Sequence, residues 1–223
     1  IHLTNAKTAE LIKLSENTFR DVNIAFANEL SIICAKEGID VNDVIKIANN
    51  HPRVNILNPG IGVGGHCIAV DPWFIASSVP DESLIIQTAR RINDTKPDFV
   101  INQVKSAVKN FHTQNSGPVT IACFGLAYKP DIDDLRESPA LQIAIDLSSL
   151  EMCNLLIVEP NIEDLPAPVY PTKAVVLPPS IVIFKLLTIK LLDVLYLKSQ
   201  FSNFISQFLT LSSFASKCSI VSF

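Results

Sequence analysis

From Thr4 to Lys36 apolar residues return at helical spacing (Leu11, Leu14, Val22, Ala25, Phe26, Leu30, Ile33) and no proline intervenes. The pattern predicts one long helix, closed by Gly38 in the left-handed conformation that ends many helices. Asp40 stands where an N-cap belongs and Asp43 falls in the first turn of a short second helix, Val41 to about Ala48. His51 to Gly65 holds two prolines and four glycines and predicts a loop. Asp81 is placed to cap a helix over Glu82 to Asn93, and Thr95 with Pro97 to restart one running to about Phe111. Residues 1–113 therefore read as a helical domain.

The period changes after the turn cluster Asn115-Ser116-Gly117-Pro118. Val119 to Phe124 is a short β-branched apolar run, followed by a polar loop from Gly125 to Glu137. Ser138-Pro139 starts a helix to about Leu150, and Asn154 to Val158 is a second strand ending in Glu159-Pro160. Strand, loop, helix, strand is a βαβ unit, so residues 114–176 read as part of a doubly wound, Rossmann-like parallel domain. Residues 177–223 differ in kind: one acidic residue (Asp193), four lysines, eleven Ser/Thr and no glycine. Without caps or glycine turns this stretch is expected to add nothing to the sheet and reads as an atypical tail, disordered or frame-altered. The sequence opens at Ile1 and its single methionine is Met152, so an initiator and what followed it are expected to be missing.

Composition narrows the classes. At 223 residues, 48% hydrophobic and net charge −4, the chain can build a core and is not a disordered one. It has no Lys/Arg block and few aromatics, which excludes nucleic acid as a partner. Cys34, Cys67, Cys123, Cys153 and Cys218 form an odd, widely spaced set without CxxC, which argues against disulfides and fits a reducing cytoplasm. His66-Cys67 lacks partners at ligand spacing, so no metal is expected. Lys185, Lys190 and Asp193 interrupt the apolar tail before about 18 uncharged residues accumulate, so no membrane span is expected.

The densest chemical signal is Asn58 to Phe74, NPGIGVGGHCIAVDPWF. Four glycines in six positions let backbone approach a ligand and present N–H groups to anionic oxygens, and Cys67 sits where the loop ends. That placement suits a nucleophile, with Asp71 four residues on to orient water or move a proton. A tight loop with a buried, inert cysteine is the plainer alternative. On the long helix Lys13, Asn17, Arg20 and Asn28 share a stripe that could meet a polyanion or simply be solvated. His51 and Arg53 flank Pro52 and suit a diphosphate equally loosely. A third cluster, Gly125 to Pro139, follows the first strand, where doubly wound sheets bind ligands. GxGxxG is absent there, while Tyr128 can stack and Lys129 and Arg136 can meet phosphates.

Three ordered motifs, KLSEN on the helix, GVGGHCIAVDP in the loop and FGLAYKPDIDDLRESPA after the strand, resemble the UDP-glucose/GDP-mannose dehydrogenase family over roughly Thr4 to Pro160. The resemblance implies an α/β enzyme in which an all-helical central dimerisation domain precedes a Rossmann-like sugar-nucleotide domain, here incomplete. The family's N-terminal NAD-binding Rossmann domain is absent from this sequence, and the family pattern fades beyond about Ala174. It further implies NAD as cofactor, a UDP-amino sugar as substrate and a homodimer formed through the long helix. Carried over residue by residue, Cys67 is the nucleophile and Lys13 and Asn17 stabilise the oxyanion, while Asp71 works with a water. Arg20, His51, Arg53, Gly64, Tyr128 and Lys129 map onto substrate contacts and Arg136 onto a cofactor contact.

Overall fold

The computed structural model describes residues 1–114, 119–129, 132–151, 153–159, 181–185 and 219–222. It divides into two compact units, Ile1–Phe99 with Arg136–Pro139, and Val100–Leu135 with Ala140–Phe223.

The first unit is helical. Helix α1, Ala6–Glu37, begins at Asn5, whose side chain accepts the Thr8 N–H at 2.8 Å. It ends at Gly38, φ +69°, where the amides of Gly38 and Ile39 both reach the Cys34 carbonyl. Helix α2, Val41–Ala48, is capped by the Asp40 carboxylate on the Asn42 amide, as the sequence predicts. Helix α3, Asp71–Ser78, is not predicted: no side chain caps it, and two of its large apolar residues, Trp73 and Phe74, are exposed. Proline in its first turn supplies the nucleating φ angle instead.

Helix α4, Leu84–Gln114, corrects the expectation of two helices meeting near Thr95. It starts after Ser83 rather than at Asp81, with the Gln87 amide reaching the Ser83 carbonyl. It also runs through Pro97 without a break. An interior proline costs about 3 kcal/mol or more. Here both flanks are pinned, since Arg90, Asn93 and Lys96 are buried before it and Val100, Ile101 and Val104 after it.

The interior of the first unit is unusually polar. Asp21 and Asn28 of α1 and Arg90, Asn93 and Lys96 of α4 are all buried. Arg90 Nη1 meets Asp21 Oδ1 at 2.5 Å and its Nη2 donates to Asp94. Asn93 Nδ2 donates to Asp21 Oδ1 at 2.8 Å. Burial pushes the Asp21 carboxyl up, with Arg90 and Asn93 opposing it. Small residues, Ala25, Ala27, Ala76 and Ala89, supply much of the apolar remainder.

In the second unit β1, Val119–Phe124, lies between β2, Cys153–Val158, and β3, Ile181–Lys185, with β4, Ser219–Ser222, beyond β3. All three pairings are parallel, in the order β2-β1-β3-β4. Every residue of β1 from Val119 to Cys123 is buried, as a central parallel strand requires. Helix α5, Pro139–Ser148, buries Ala140, Ile143, Ala144 and Leu147, one face at helical spacing. The expectation that the stretch after Leu177 adds nothing to the sheet fails at β3 and β4. A continuous apolar run such as Ile181–Phe184 is itself enough for a parallel strand, whatever the connecting segments lack. The rest of that expectation concerns residues outside those described.

Among the described residues no helix is long and apolar enough to cross a membrane.

Candidate active site

The first unit gathers most of the residues singled out in the sequence. The glycine loop arrives at α3 through a turn over His66–Val70, in which the Val70 and Asp71 amides both bond the Cys67 carbonyl, at 3.1 and 2.8 Å. Cys67 therefore stands one helical turn ahead of Asp71. Asn17, on α1, donates through Nδ2 to Asp71 Oδ2 at 2.5 Å. The Lys13 ammonium, one turn earlier on the same helix, lies 4.0 Å from that oxygen. The Asp71 side chain is 17% exposed and that of Lys13 62%, so a sheltered carboxylate is paired with a cation open to solvent.

Of the described cysteines, Cys34 and Cys123 are buried, Cys153 is half-buried and Cys67 alone is exposed. Burial pushes the Cys123 thiol up to about 12, which leaves it protonated and inert at neutral pH. Cys67 is therefore not the buried cysteine of the plainer alternative.

The loop's approach is fixed from below. Asn28 is buried and accepts the Gly60 N–H at 2.7 Å on Oδ1, while its Nδ2 donates to Asn93 Oδ1 at 2.9 Å. The reading of Asn28 as a polyanion contact is corrected: it ties the glycine loop to α1 and α4. Ser31 donates to the Asn28 carbonyl at 2.6 Å and receives the buried Lys96 ammonium. Lys96 also lies over the Phe99 ring, 4.7 Å from its centroid, and burial lowers it to about 8. Gly62, φ +141°, is pressed between two proline rings, and a Cβ there would meet Pro139 carbons at 3.0 Å and Pro97 Cγ at 3.3 Å. The network residues Asp21, Arg90, Asn93 and Lys96 were not singled out in the sequence. Their signal is the three-residue spacing of polar side chains on α4, which a surface stripe shares.

Arg20 is exposed on α1 and Gly64 half-buried in the loop. His51 and Arg53 are exposed in a turn in which the Arg53 amide donates to His51 Nδ1 at 3.2 Å. The Asn49 side chain clamps that turn by bonding both the Ile56 N–H and its carbonyl, at 2.8 and 3.0 Å. Arg136 is exposed beside Glu137, whose φ of +51° is left-handed without being glycine.

Tyr128 and Lys129 belong to the second unit, on the turn after β1, with Lys129 Nζ 5.7 Å from the Tyr128 ring centroid. Glu159, at the end of β2, accepts the Leu126 and Ala127 amides of that turn at 2.7 and 3.2 Å. Among the described residues no cluster of three or more His, Cys, Asp or Glu could hold a metal ion.

Comparison with known proteins gives two family matches: the UDP-glucose/GDP-mannose dehydrogenase family, central domain, over residues 7–95, and the UDP binding domain of the same family over residues 122–195. The second match continues about twenty residues past Ala174, where the motifs alone give out. The UDP-N-acetyl-D-mannosamine dehydrogenase of Campylobacter jejuni is 62% identical over 164 residues, which is 74% of this chain and 39% of that protein. The NDP-N-acetyl-D-galactosaminuronic acid dehydrogenase of Ralstonia nicotianae is 56% identical over 165 residues, 74% of this chain and 38% of its own. The solved UDP-D-ManNAc dehydrogenase of Pyrococcus horikoshii superposes with a TM-score of 0.72 at 38% identity, covering 84% of this chain and 43% of that one. The chain thus spans about two-fifths of the length of the relatives it matches.

Proposed function

The chain belongs to the UDP-glucose/GDP-mannose dehydrogenase family, and from that premise we propose that it carries the catalytic loop and the nucleotide-binding part of a UDP-N-acetyl-D-mannosamine 6-dehydrogenase. The reaction is oxidation of the sugar's C6 hydroxyl to a carboxylate, a precursor step for polysaccharide synthesis. The observation that carries this reading is the exposed Cys67 one turn ahead of Asp71, with Asp71 bonded to Asn17 and close to Lys13.

The Cys67 thiolate adds to the C6 aldehyde and forms a thiohemiacetal, whose oxygen takes the new negative charge. Lys13 and Asn17 stabilise that charge, Lys13 because its ammonium is open to solvent beside Asp71 and Asn17 because its Nδ2 already donates to the Asp71 carboxylate. Transfer of that carbon's hydride to the family's NAD would leave a thioester. Asp71, held by Asn17, orients the water that breaks the C–S bond and returns the thiol.

NAD accepts the two hydrides in this family, but the described residues do not form its site. The turn after β1 lacks GxGxxG, and its two amides are taken by the Glu159 carboxylate, where a pyrophosphate would meet like charge. Arg136 is a single guanidinium, a contact rather than a site.

The division of labour follows the family: residues 1–113 form the dimerising domain with the Cys67 loop, and residues 114–176 belong to the domain for the UDP-amino sugar. Arg20, His51, Arg53 and Gly64 contact substrate from the first, Tyr128 and Lys129 from the second. A homodimer through α1 is supported by Ile12, Phe19, Phe26 and Ile33, all more than half exposed and each seven residues from the next, a heptad stripe that wants a partner helix.

A second reading, a module that dimerises or binds a UDP sugar without catalysis, draws on the lack of a dinucleotide cradle among the described residues. Native mass spectrometry of the chain mixed with the C6 aldehyde of UDP-N-acetylmannosamine separates the two. A covalent adduct on Cys67, lost in Cys67→Ser, supports the catalytic reading. UDP binding without any adduct leaves only the module. The aldehydes of UDP-glucose, UDP-N-acetylglucosamine and GDP-mannose, run in parallel, rank the sugar.

A further inference from the structure

Doubly wound sheets commonly hold a ligand phosphate on the backbone amides that follow the first strand. In this chain those amides have an internal acceptor. Pairing of Phe124 with Val158 puts the ends of β1 and β2 side by side, and Glu159 follows β2 directly. Its Oε2 accepts the Leu126 N–H at 2.7 Å and the Ala127 N–H at 3.2 Å. Gly125, φ +85°, turns the chain so that two consecutive amides aim at one oxygen. Leu126 and Ala127 are 0% and 2% exposed, so water cannot replace the carboxylate without cost. A charge-assisted pair of bonds in a dry turn is strong and directional. The next two residues are Tyr128 and Lys129.

We infer that Glu159 is a positioning residue for nucleotide binding: it fixes the buried amides of Leu126 and Ala127 and thereby sets where Tyr128 and Lys129 meet a nucleoside diphosphate. The inference rests on the proposed UDP-sugar role of the second unit, and it excludes the diphosphate from the amides that Glu159 occupies.

The test titrates UDP calorimetrically into the chain and its Glu159→Ala, Glu159→Gln and Lys129→Ala variants and the Glu159→Ala/Lys129→Ala double variant, with amide NMR of residues 126 to 129. Glu159→Ala is expected to weaken UDP about tenfold or more and to shift all four amides. Glu159→Gln keeps the shape and one acceptor oxygen and falls between. Lys129→Ala is expected to cost less in the Glu159→Ala background than in the parent, a coupling that general loss of structure does not produce. Unchanged UDP affinity in both Glu159 variants overturns the inference and leaves the reading of the unit standing. A parent chain that does not bind UDP overturns both. If Glu159→Ala does not fold, Glu159→Gln decides: parental affinity with displaced amides overturns the inference.

Discussion

Asn28 Oδ1 accepts the Gly60 N–H at 2.7 Å across 32 positions of sequence. Because Asn28 is wholly buried and its other end is held by Asn93, that one amide sets how far the glycine loop stands off α1. Cys67 inherits its position from this bond, from the α3 turn below it and from the proline walls at Gly62.

Asn28→Ala should therefore strip an acceptor from Gly60 and a donor from Asn93 at once, leaving buried polar groups unpaired. The expected loss is about 2–4 kcal/mol, from about 1–3 kcal/mol for each orphaned group with partial relaxation. Thermal and urea unfolding of the variant measure it.

Lys13→Ala removes a charge from the solvent side of the site and should leave the fold untouched. Addition of Cys67 to the aldehyde is expected to slow about a hundredfold, while UDP affinity stays near the parent's. Rates of adduct formation set against calorimetric UDP binding give the comparison. Equal loss in both would assign Lys13 to ground-state binding.

Lys96 makes stability depend on alkaline pH. Burial holds it at about 8 against an ordinary value of 10.5, and among the described residues no carboxylate pairs with it. Between those values the unfolded chain binds more protons than the folded one, so unfolding free energy rises with pH. The gain is complete above 10.5 and is lost as pH falls through about 8. The parent should gain on Lys96→Met by about 3 kcal/mol across the window, the difference cancelling other titrating groups. Chemical denaturation of the two proteins at a series of alkaline pH values checks the slope.

Phe26→Asp places a charge in the centre of the exposed heptad stripe on α1. If two copies pack there, each loses a phenylalanine contact and dimer affinity should fall at least about a hundredfold. The monomer's own unfolding should hardly change, since Phe26 is exposed in the single chain. Analytical ultracentrifugation of parent and variant gives both constants.

Gly62→Ala should destabilise the first unit by about 1–3 kcal/mol, because the new methyl is driven against two proline rings at a φ that side chains rarely adopt. Scanning calorimetry measures this, and Cys67 reactivity is expected to fall with it.

Much of this architecture is legible in the sequence where a local signal and its structural role coincide. Asn5 is an exception, but Gly38 and Asp40 mark helix ends that the structure places at those residues, and Val119–Phe124 reads as the strand it is. Pro97 misleads because the rule that proline ends a helix is local, whereas Arg90, Asn93 and Lys96 hold the preceding turn from another helix. Helix α3 escapes notice because its signals, an uncapped start and exposed aromatics, are those of a loop. At the site, Cys67 and Asp71 are visible in one short motif and Lys13 and Asn17 in another. The bond that holds the glycine loop, Asn28 on Gly60, pairs residues 32 positions apart, and in the second unit Glu159 and Leu126 are 33 apart, where no periodicity reaches.

The Pro139 wall against Gly62 also bears on synthesis. The ribosome delivers Gly62 and Pro97 well before Pro139, and β1 lies between them in the chain. Until residue 139 has emerged, the loop bearing Cys67 lacks one side of its mould, even though every helix of the first unit is already made. Cys67 is thus seated only after β1, the first strand of the next unit, has been synthesised. A nascent or proteolysed chain that stops before residue 136 keeps its cysteine but holds it on an unfinished loop.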